Sequence, residues 1–251
     1  LSRYGGDPNS GHAGQFGTLI HSMAQASASG LDDANISTAL EAAWPALGID
    51  SIWLAEQEKQ RAVDAITNYA VWDAKESATF ATAGLEVGVD HIFTVDDLAD
   101  FGITTEDIAS VDATTVPVRV KGRIDRLERT DAGQYVIVDF KTGKTVPSKK
   151  DTQDNAQLAL YQLALSGSDK DTTPVVKAKL VYLRPRSGSL GERDQPALDA
   201  AERTRWRVAL QSAACAPCGP TFHACRNDHC TQCVVQESCP LYSHSILARK
   251  A

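Results

Sequence analysis

Apolar positions along the chain recur with a helical period in its first third and with a strand period after it. Between Gln15 and about Ala28 the spacing predicts a helix, with Gly30 suited to its end. Residues 32–47 and 52–83 predict two more helices. The second is long and Ala-rich, with Trp53, Gln57, Gln60 and Asp64 set among Ala, Val and Ile. Residues 1–14 are Gly-rich and polar and read as a loop, and residues 94–112 read as an acidic, loosely structured insertion. From Val116 the period shortens to two. Val116–Glu128 and Gln134–Lys141 are β-branched and alternating, and Asp131-Ala132-Gly133 between them makes a hairpin. A helix over Thr152–Leu165, a strand over Val175–Arg184, a polar loop over 187–197, a helix over 199–213 and a Cys-rich segment over 214–242 follow. The order predicts one α/β domain: a mainly helical part (1–115), a strand–strand–helix–strand core (116–186), and a helix with a Cys-rich cap (187–251).

Alternation also sorts the side chains onto faces. In Tyr135–Lys141, one face carries Tyr135, Ile137, Asp139 and Lys141, and the other carries Val136, Val138 and Phe140 as core. In the preceding strand Val118, Val120, Gly122 and Ile124 share one face, and Arg119, Lys121, Arg123 and Asp125 the other. A hairpin between these strands can set Asp125 beside Asp139. Adjacent carboxylates repel unless a divalent cation lies between them, and Mg2+ or Mn2+ suits a site with few protein oxygens and room for water and phosphate. Such a cation acidifies water and offsets charge on a phosphoryl oxygen, and Lys141 can orient the water or stabilise the transition state. By spacing alone, an ordinary ion pair on a twisted strand explains D-x-K as well, because the motif is short.

Four motifs in order change that balance. Gly122-Arg123-Ile124-Asp125-Arg126 and Val138-Asp139-Phe140-Lys141-Thr142-Gly143 resemble the PD-(D/E)xK nuclease superfamily, and its RecB-type domains in particular. Gly17-Thr18-Leu19-Ile20-His21 resembles that family's G-x-x-x-H helix, and Gln157-Leu158-Ala159-Leu160-Tyr161 its Q-x-x-x-Y helix. The resemblance implies a restriction-endonuclease-like mixed sheet flanked by helices. It implies His21, Asp125 and Asp139 as ligands of Mg2+ or Mn2+, with Lys141, Gln157 and Tyr161 at the reacting centre. Glu86 lies roughly where relatives carry a further acid. Gly143-Lys144-Thr145 imitates the end of a P-loop, but the Gly required five residues earlier is Val138.

All six cysteines lie between Cys215 and Cys239. Clustering of this kind, where disulfides are disfavoured, points to metal or iron–sulfur ligation. Cys230-x-x-Cys233-x5-Cys239-Pro240 resembles the C-terminal triplet of AddB-like nuclease domains, which implies a four-iron four-sulfur cluster with a fourth ligand upstream or at Cys225. Cys215-x-x-Cys218 and Cys230-x-x-Cys233 also suit a zinc ribbon, and both readings stay open.

Charge complicates the picture. The chain has 251 residues and a net charge of −7, which disfavours phosphate binding on average. The charge is uneven, however: nine bases against four acids lie between Arg119 and Lys150, and four bases without an acid between Lys177 and Arg186. No apolar run approaches the roughly 20 residues of a membrane span, and no signal peptide is evident, so a cytoplasmic protein is expected. The start at Leu1, with Met23 the sole Met, suggests a piece of a longer protein. The resemblance extends to the C-terminal nuclease domain of an AddB- or AdnB-like helicase–nuclease subunit. That implies DNA ends, single-stranded, as substrate, a helicase domain in the same full-length chain, a second helicase–nuclease subunit, and a role in double-strand-break end resection. The alternatives are a catalytically silent nuclease fold used for DNA guidance or docking, and a standalone exonuclease of the Cas4 kind.

Overall fold

A computed structural model describes residues 8–49, 51–94, 117–167, 173–184 and 190–215, together with 226, 230, 233, 236, 239 and 241. The predicted helical first third forms α1 (Pro8–Ala28), α2 (Asp33–Ala43) with a 3-10 turn over Trp44–Leu47, and α3 (Ile52–Glu76). Side-chain caps start two of them. Asp32 accepts from the Asn35 amide at 2.8 Å and Ser51 from the Leu54 amide at 3.4 Å, each satisfying a free helix-end donor. The predicted acidic insertion over 94–112 lies, apart from Thr94, outside the described residues.

Four expectations are corrected at this point, the first being the loop over residues 1–14, since α1 already begins at Pro8. The helix expected to run to residue 83 ends at Glu76, and the chain continues as a strand, β1 (Ala81–Phe93). Its residues Gly84, Glu86, Gly88 and Asp90 give weak strand propensity, and pairing with a neighbour decides the conformation instead. Likewise the expected loop over 187–197 contains β5 (Gly191–Pro196), whose polar residues are held by antiparallel pairing with β4 rather than by apolar alternation. The hairpin strands are β2 (Val118–Arg129) and β3 (Tyr135–Lys141), and Gly133 takes φ 80° in their turn, a left-handed conformation that glycine adopts without steric cost. The single helix expected over 152–165 is two, α4 (Lys149–Gln153) and α5 (Ala156–Ser166), because Asn155 caps α5 by accepting from the Leu158 amide at 3.0 Å. Then come β4 (Val175–Tyr182) and α6 (Ala200–Cys215).

The five strands form one mixed sheet in the order β1-β2-β3-β4-β5, with only β3 and β4 parallel. A parallel pair needs a crossover, and α4 and α5 supply it. β3 is central and buried on both faces, which corrects the expectation of a single core face. Val136, Val138 and Phe140 pack on α1, α2 and α3 through Ile20, Ile36, Leu40, Tyr69 and Trp72. Tyr135 and Ile137 pack on α5 through Leu158, Ala159 and Leu163, with Trp206 and Leu210 of α6 alongside. The structure is therefore a mixed sheet flanked by helices, the restriction-endonuclease-like architecture.

Charge is buried where α3 meets the sheet. Arg126, 1% exposed, pairs with Asp73 and approaches Glu128 Oε1 at 3.1 Å, and Lys179 pairs with Glu76. Both Glu128 oxygens lack a hydrogen bond. Burial pushes the Glu128 carboxyl up to about 7, the Glu76 charge adds to the rise, and Arg126 and Lys179 oppose it.

Candidate active site

The β2–β3 ladder runs from Arg129↔Tyr135 to Arg126↔Val138 and stops there. The next position on each strand carries a carboxylate, Asp125 and Asp139. Instead of continuing the ladder, Asp125 Oδ2 accepts from the Phe140 amide at 2.7 Å. The two strands thus part where the acids begin, and a side chain satisfies the backbone donor that the lost ladder would strand.

On one side of this fork α1 delivers His21, whose Nδ1 lies 3.3 Å from Asp125 Oδ1 while its ring meets Phe140 edge-on. β1 delivers Glu86 from the other strand. Leu85 pairs with Arg126 and Val87 with Ile124, and between them Glu86 takes φ 52°. Among the described residues it is the one non-glycine residue with positive φ, a conformation that costs of order 1–3 kcal/mol and persists only where its surroundings impose it. Donor atoms of His21, Glu86 and Asp125 all lie within 4.8 Å of one another. One imidazole nitrogen and two carboxylates suit a divalent cation. The hydrogen bond to Asp125 raises the His21 pKa, burial opposes the rise, and the Asp125, Asp139 and Glu86 charges add to it. The ring is therefore drawn toward the cationic form without a cation beside it.

On the other side, α5 faces the end of β3. Gln157 Nε2 donates to Asp139 Oδ1 at 2.7 Å and to Tyr161 Oη at 3.1 Å, and Lys141 Nζ donates to Gln157 Oε1 at 2.7 Å. Lys141 Nζ also approaches Asp139 Oδ2 to 2.6 Å, without hydrogen-bond alignment. Tyr161 Oη donates onward to the Arg123 carbonyl at 2.7 Å, fixing α5 to β2. Asp139 is 3% exposed. Burial pushes its carboxyl up to about 6, the Lys141 ammonium opposes this, and the Asp125 charge adds to it.

Every residue singled out in the four motifs therefore reaches one corner of the sheet. Their grouping differs from the expected ligand set in one respect. Glu86 joins His21 and Asp125, while Asp139 is engaged by Lys141 and Gln157. Glu86 carried almost no sequence signal, because the strand that presents it was itself unrecognised. Arg123 was also missed; its NH1 lies 3.2 Å from Glu86 Oε2, and it is 69% exposed.

The basic segments look different in three dimensions. Arg119 pairs bidentately with Asp90, Lys177 approaches Asp194 at 3.7 Å, Lys179 pairs with Glu76, and Arg184 pairs with Glu58 at 3.0 Å. Strand pairing supplies the acid for Arg119 and Lys177, and α3 supplies it for Lys179 and Arg184, so part of the expected basic surface is neutralised within the fold. A cleft of about 370 Å³ opens from His21 and Glu86 toward Arg123 and the exposed face of α1.

In the cap, the described cysteine side chains are those of Cys230, Cys233 and Cys239. Successive turns link them: the Cys233 amide donates to the Cys230 carbonyl at 3.3 Å, Gln236 to Cys233 at 3.1 Å, and Cys239 to Gln236 at 3.1 Å. The Cys215 side chain, Cys218 and Cys225, the last expected as a possible ligand, lie outside the described residues. Among the described residues no helix is long and apolar enough to cross a membrane.

The family model described as the PD-(D/E)XK nuclease superfamily matches residues 3–240. No curated protein matches the chain. A similar solved structure is titled "Crystal structure of SSO0001"; it is 15% identical, the match covers 90% of this chain and 96% of that one, and the TM-score is 0.39.

Proposed function

This chain belongs to the PD-(D/E)XK nuclease superfamily, and on that premise we propose that it is a Mg2+- or Mn2+-dependent deoxyribonuclease acting on DNA ends. The observation that carries this reading is the convergence of His21, Glu86 and Asp125 donors within 4.8 Å, beside the Asp139–Lys141 pair. These three residues hold the cation, with Asp139 adjoining. When bound, the cation supplies an activated water and offsets charge building on the phosphoryl oxygens. The chain's own groups do the rest. Lys141, steered by Gln157 and drawn to Asp139, presents its ammonium where the attacking oxygen and the phosphate meet. Gln157 fixes both residues through one amide, and Tyr161 fixes Gln157. The Phe140 amide keeps the Asp125 carboxylate turned toward His21.

The ordered motifs support a narrower role as the C-terminal nuclease part of an AdnB- or AddB-like helicase–nuclease, acting as an exonuclease on single strands in double-strand-break repair with a second subunit. The placement of Cys230, Cys233 and Cys239 on consecutive turns is consistent with their holding three corners of an iron–sulfur cluster. That cluster would be structural, tying the cap down rather than taking part in hydrolysis.

The test is cleavage of an end-labelled single-stranded oligonucleotide with Mn2+, with Mg2+ and with EDTA. Wild type cuts with either cation and not with EDTA, and Asp139→Ala loses at least about a thousandfold in rate. Unchanged cleavage by Asp139→Ala would falsify the site.

A further inference from the structure

Beyond the donor set, the cleft of about 370 Å³ has two unlike walls. The α1 wall carries Gly14, Gly17, Thr18, Ser22 and Gln25, positions spaced by three and four and so on one helical face. Gly14, Gly17, Thr18 and Ser22 have short side chains that leave most of the wall low. The Thr18 hydroxyl is turned back onto the Gly14 carbonyl at 3.1 Å, so Ser22 and Gln25 are the polar groups open to a ligand. The sheet wall is Arg123. Its backbone is fixed, since its carbonyl accepts from Tyr161 Oη at 2.7 Å. Its side chain stays 69% exposed and pairs, among the described residues, with Glu86 at 3.2 Å.

The partner is the informative part. Glu86 is also a donor of the candidate cation site. Without a cation, Arg123 is a counter-ion of Glu86, as His21 is of Asp125. A dication between the same carboxylates takes over that neutralisation and repels the guanidinium. An exposed pair of this kind is weak, so its release is easy. The freed guanidinium is then in the cleft, with the planar donor fork that matches a phosphate.

We propose that this cleft seats a phosphodiester of the DNA strand next to the one being cut, and that Arg123 is its phosphate-binding residue, held by Glu86 until a divalent cation displaces it. The assignment rests on the metal-nuclease reading above. It adds an order to the events: cation loading arms the DNA site, so the two ligands bind with positive coupling through one side chain.

Two binding measurements on the intact chain test it, neither needing turnover. Mn2+ is titrated by calorimetry into wild type, Arg123→Gln and Arg119→Gln. A labelled single-stranded oligonucleotide is then titrated by anisotropy in Ca2+ at several salt concentrations. Arg119 lies on the same strand in a matching pair with Asp90 and does not line the cleft, so its variant controls for net charge. Arg123→Gln is expected to bind Mn2+ about three- to tenfold more tightly, having lost the competing cation. It is expected to bind the oligonucleotide about tenfold more weakly, with a salt dependence shallower by about 0.7 in log–log slope. Arg119→Gln is expected to shift both affinities by less than about twofold. If wild type binds Mn2+ and cuts while Arg123→Gln behaves as Arg119→Gln does, the Arg123 assignment fails and the metal centre stands. Weaker Mn2+ binding by Arg123→Gln also overturns it, because Arg123 would then support the cation rather than compete with it. If wild type binds no Mn2+, the nuclease reading and this assignment fall together.

Discussion

Replacing Gly122 by Ala should damage the active site without replacing any residue in it. A Cβ at Gly122 would lie 2.7 Å from Tyr161 Cε1. Carbon–carbon contacts are optimal at about 3.5–4.0 Å, so the ring or the strand must move by up to about 1 Å. Neither moves freely. Tyr161 is tied at its hydroxyl to the Arg123 carbonyl at 2.7 Å and to Gln157 at 3.1 Å, and β2 is held at Gly122 by its pairing with Val89 of β1. Overpacking of this kind costs about 1–3 kcal/mol. If the ring swings away, the hydrogen bond to Arg123 is lost, at about 0.5–1.5 kcal/mol. In both cases Gln157 loses its brace, and with it the setting of Asp139 and Lys141. A misplacement near 1 Å can lower the rate about a hundredfold. The assay is urea unfolding in EDTA together with single-turnover cleavage in Mn2+, for Gly122→Ala, Tyr161→Ala and the double variant. Tyr161→Ala removes the obstacle, so the double variant should be little worse than Tyr161→Ala alone, a coupling of about 1 kcal/mol or more. The reasoning is wrong if Gly122→Ala lies within about 0.5 kcal/mol and twofold in rate of wild type, or if the two changes simply add.

Gln157→Ala should lower the cleavage rate about ten- to a hundredfold while leaving Mn2+ affinity within about twofold, because Gln157 holds Asp139 and Lys141 but none of the three grouped donors. An equal loss of Mn2+ affinity, read by calorimetry, would show that the two halves of the site are not separate. Glu128, fully buried, has its carboxyl raised from 4.5 to about 7. The folded state therefore keeps a proton that the unfolded chain releases, and the stability linked to it is present below about pH 4.5 and lost as pH rises through about 7. The loss is about 1–3 kcal/mol, the upper figure being the whole displacement. Glu128→Gln should accordingly be more stable than wild type at pH 8 and no more stable at pH 4.5 in chemical denaturation; equal stabilities at pH 8 would refute this.

Local pattern was enough for much of this protein. Period-two alternation marked β2 and β3, helical spacing marked α1 to α3, and the ordered motifs named His21, Asp125, Asp139, Lys141, Gln157 and Tyr161, which do meet at one corner of the sheet. These features were legible because each is written within a few consecutive residues, where backbone geometry alone fixes which side chains share a face. What was not written locally had to wait for tertiary structure. β1 has the composition of a loop and becomes a strand through pairing with β2. Glu86 enters the donor set only because its positive φ turns it between two regular ladder positions. The basic stretches seemed to offer DNA a charged surface, yet Asp90, Asp194, Glu76 and Glu58, distant in sequence, pair with Arg119, Lys177, Lys179 and Arg184 of them. The requirement for Gly122 comes from a tyrosine on another helix. Each of these depends on contacts between residues far apart in the chain, and such contacts exist only once the sheet has assembled.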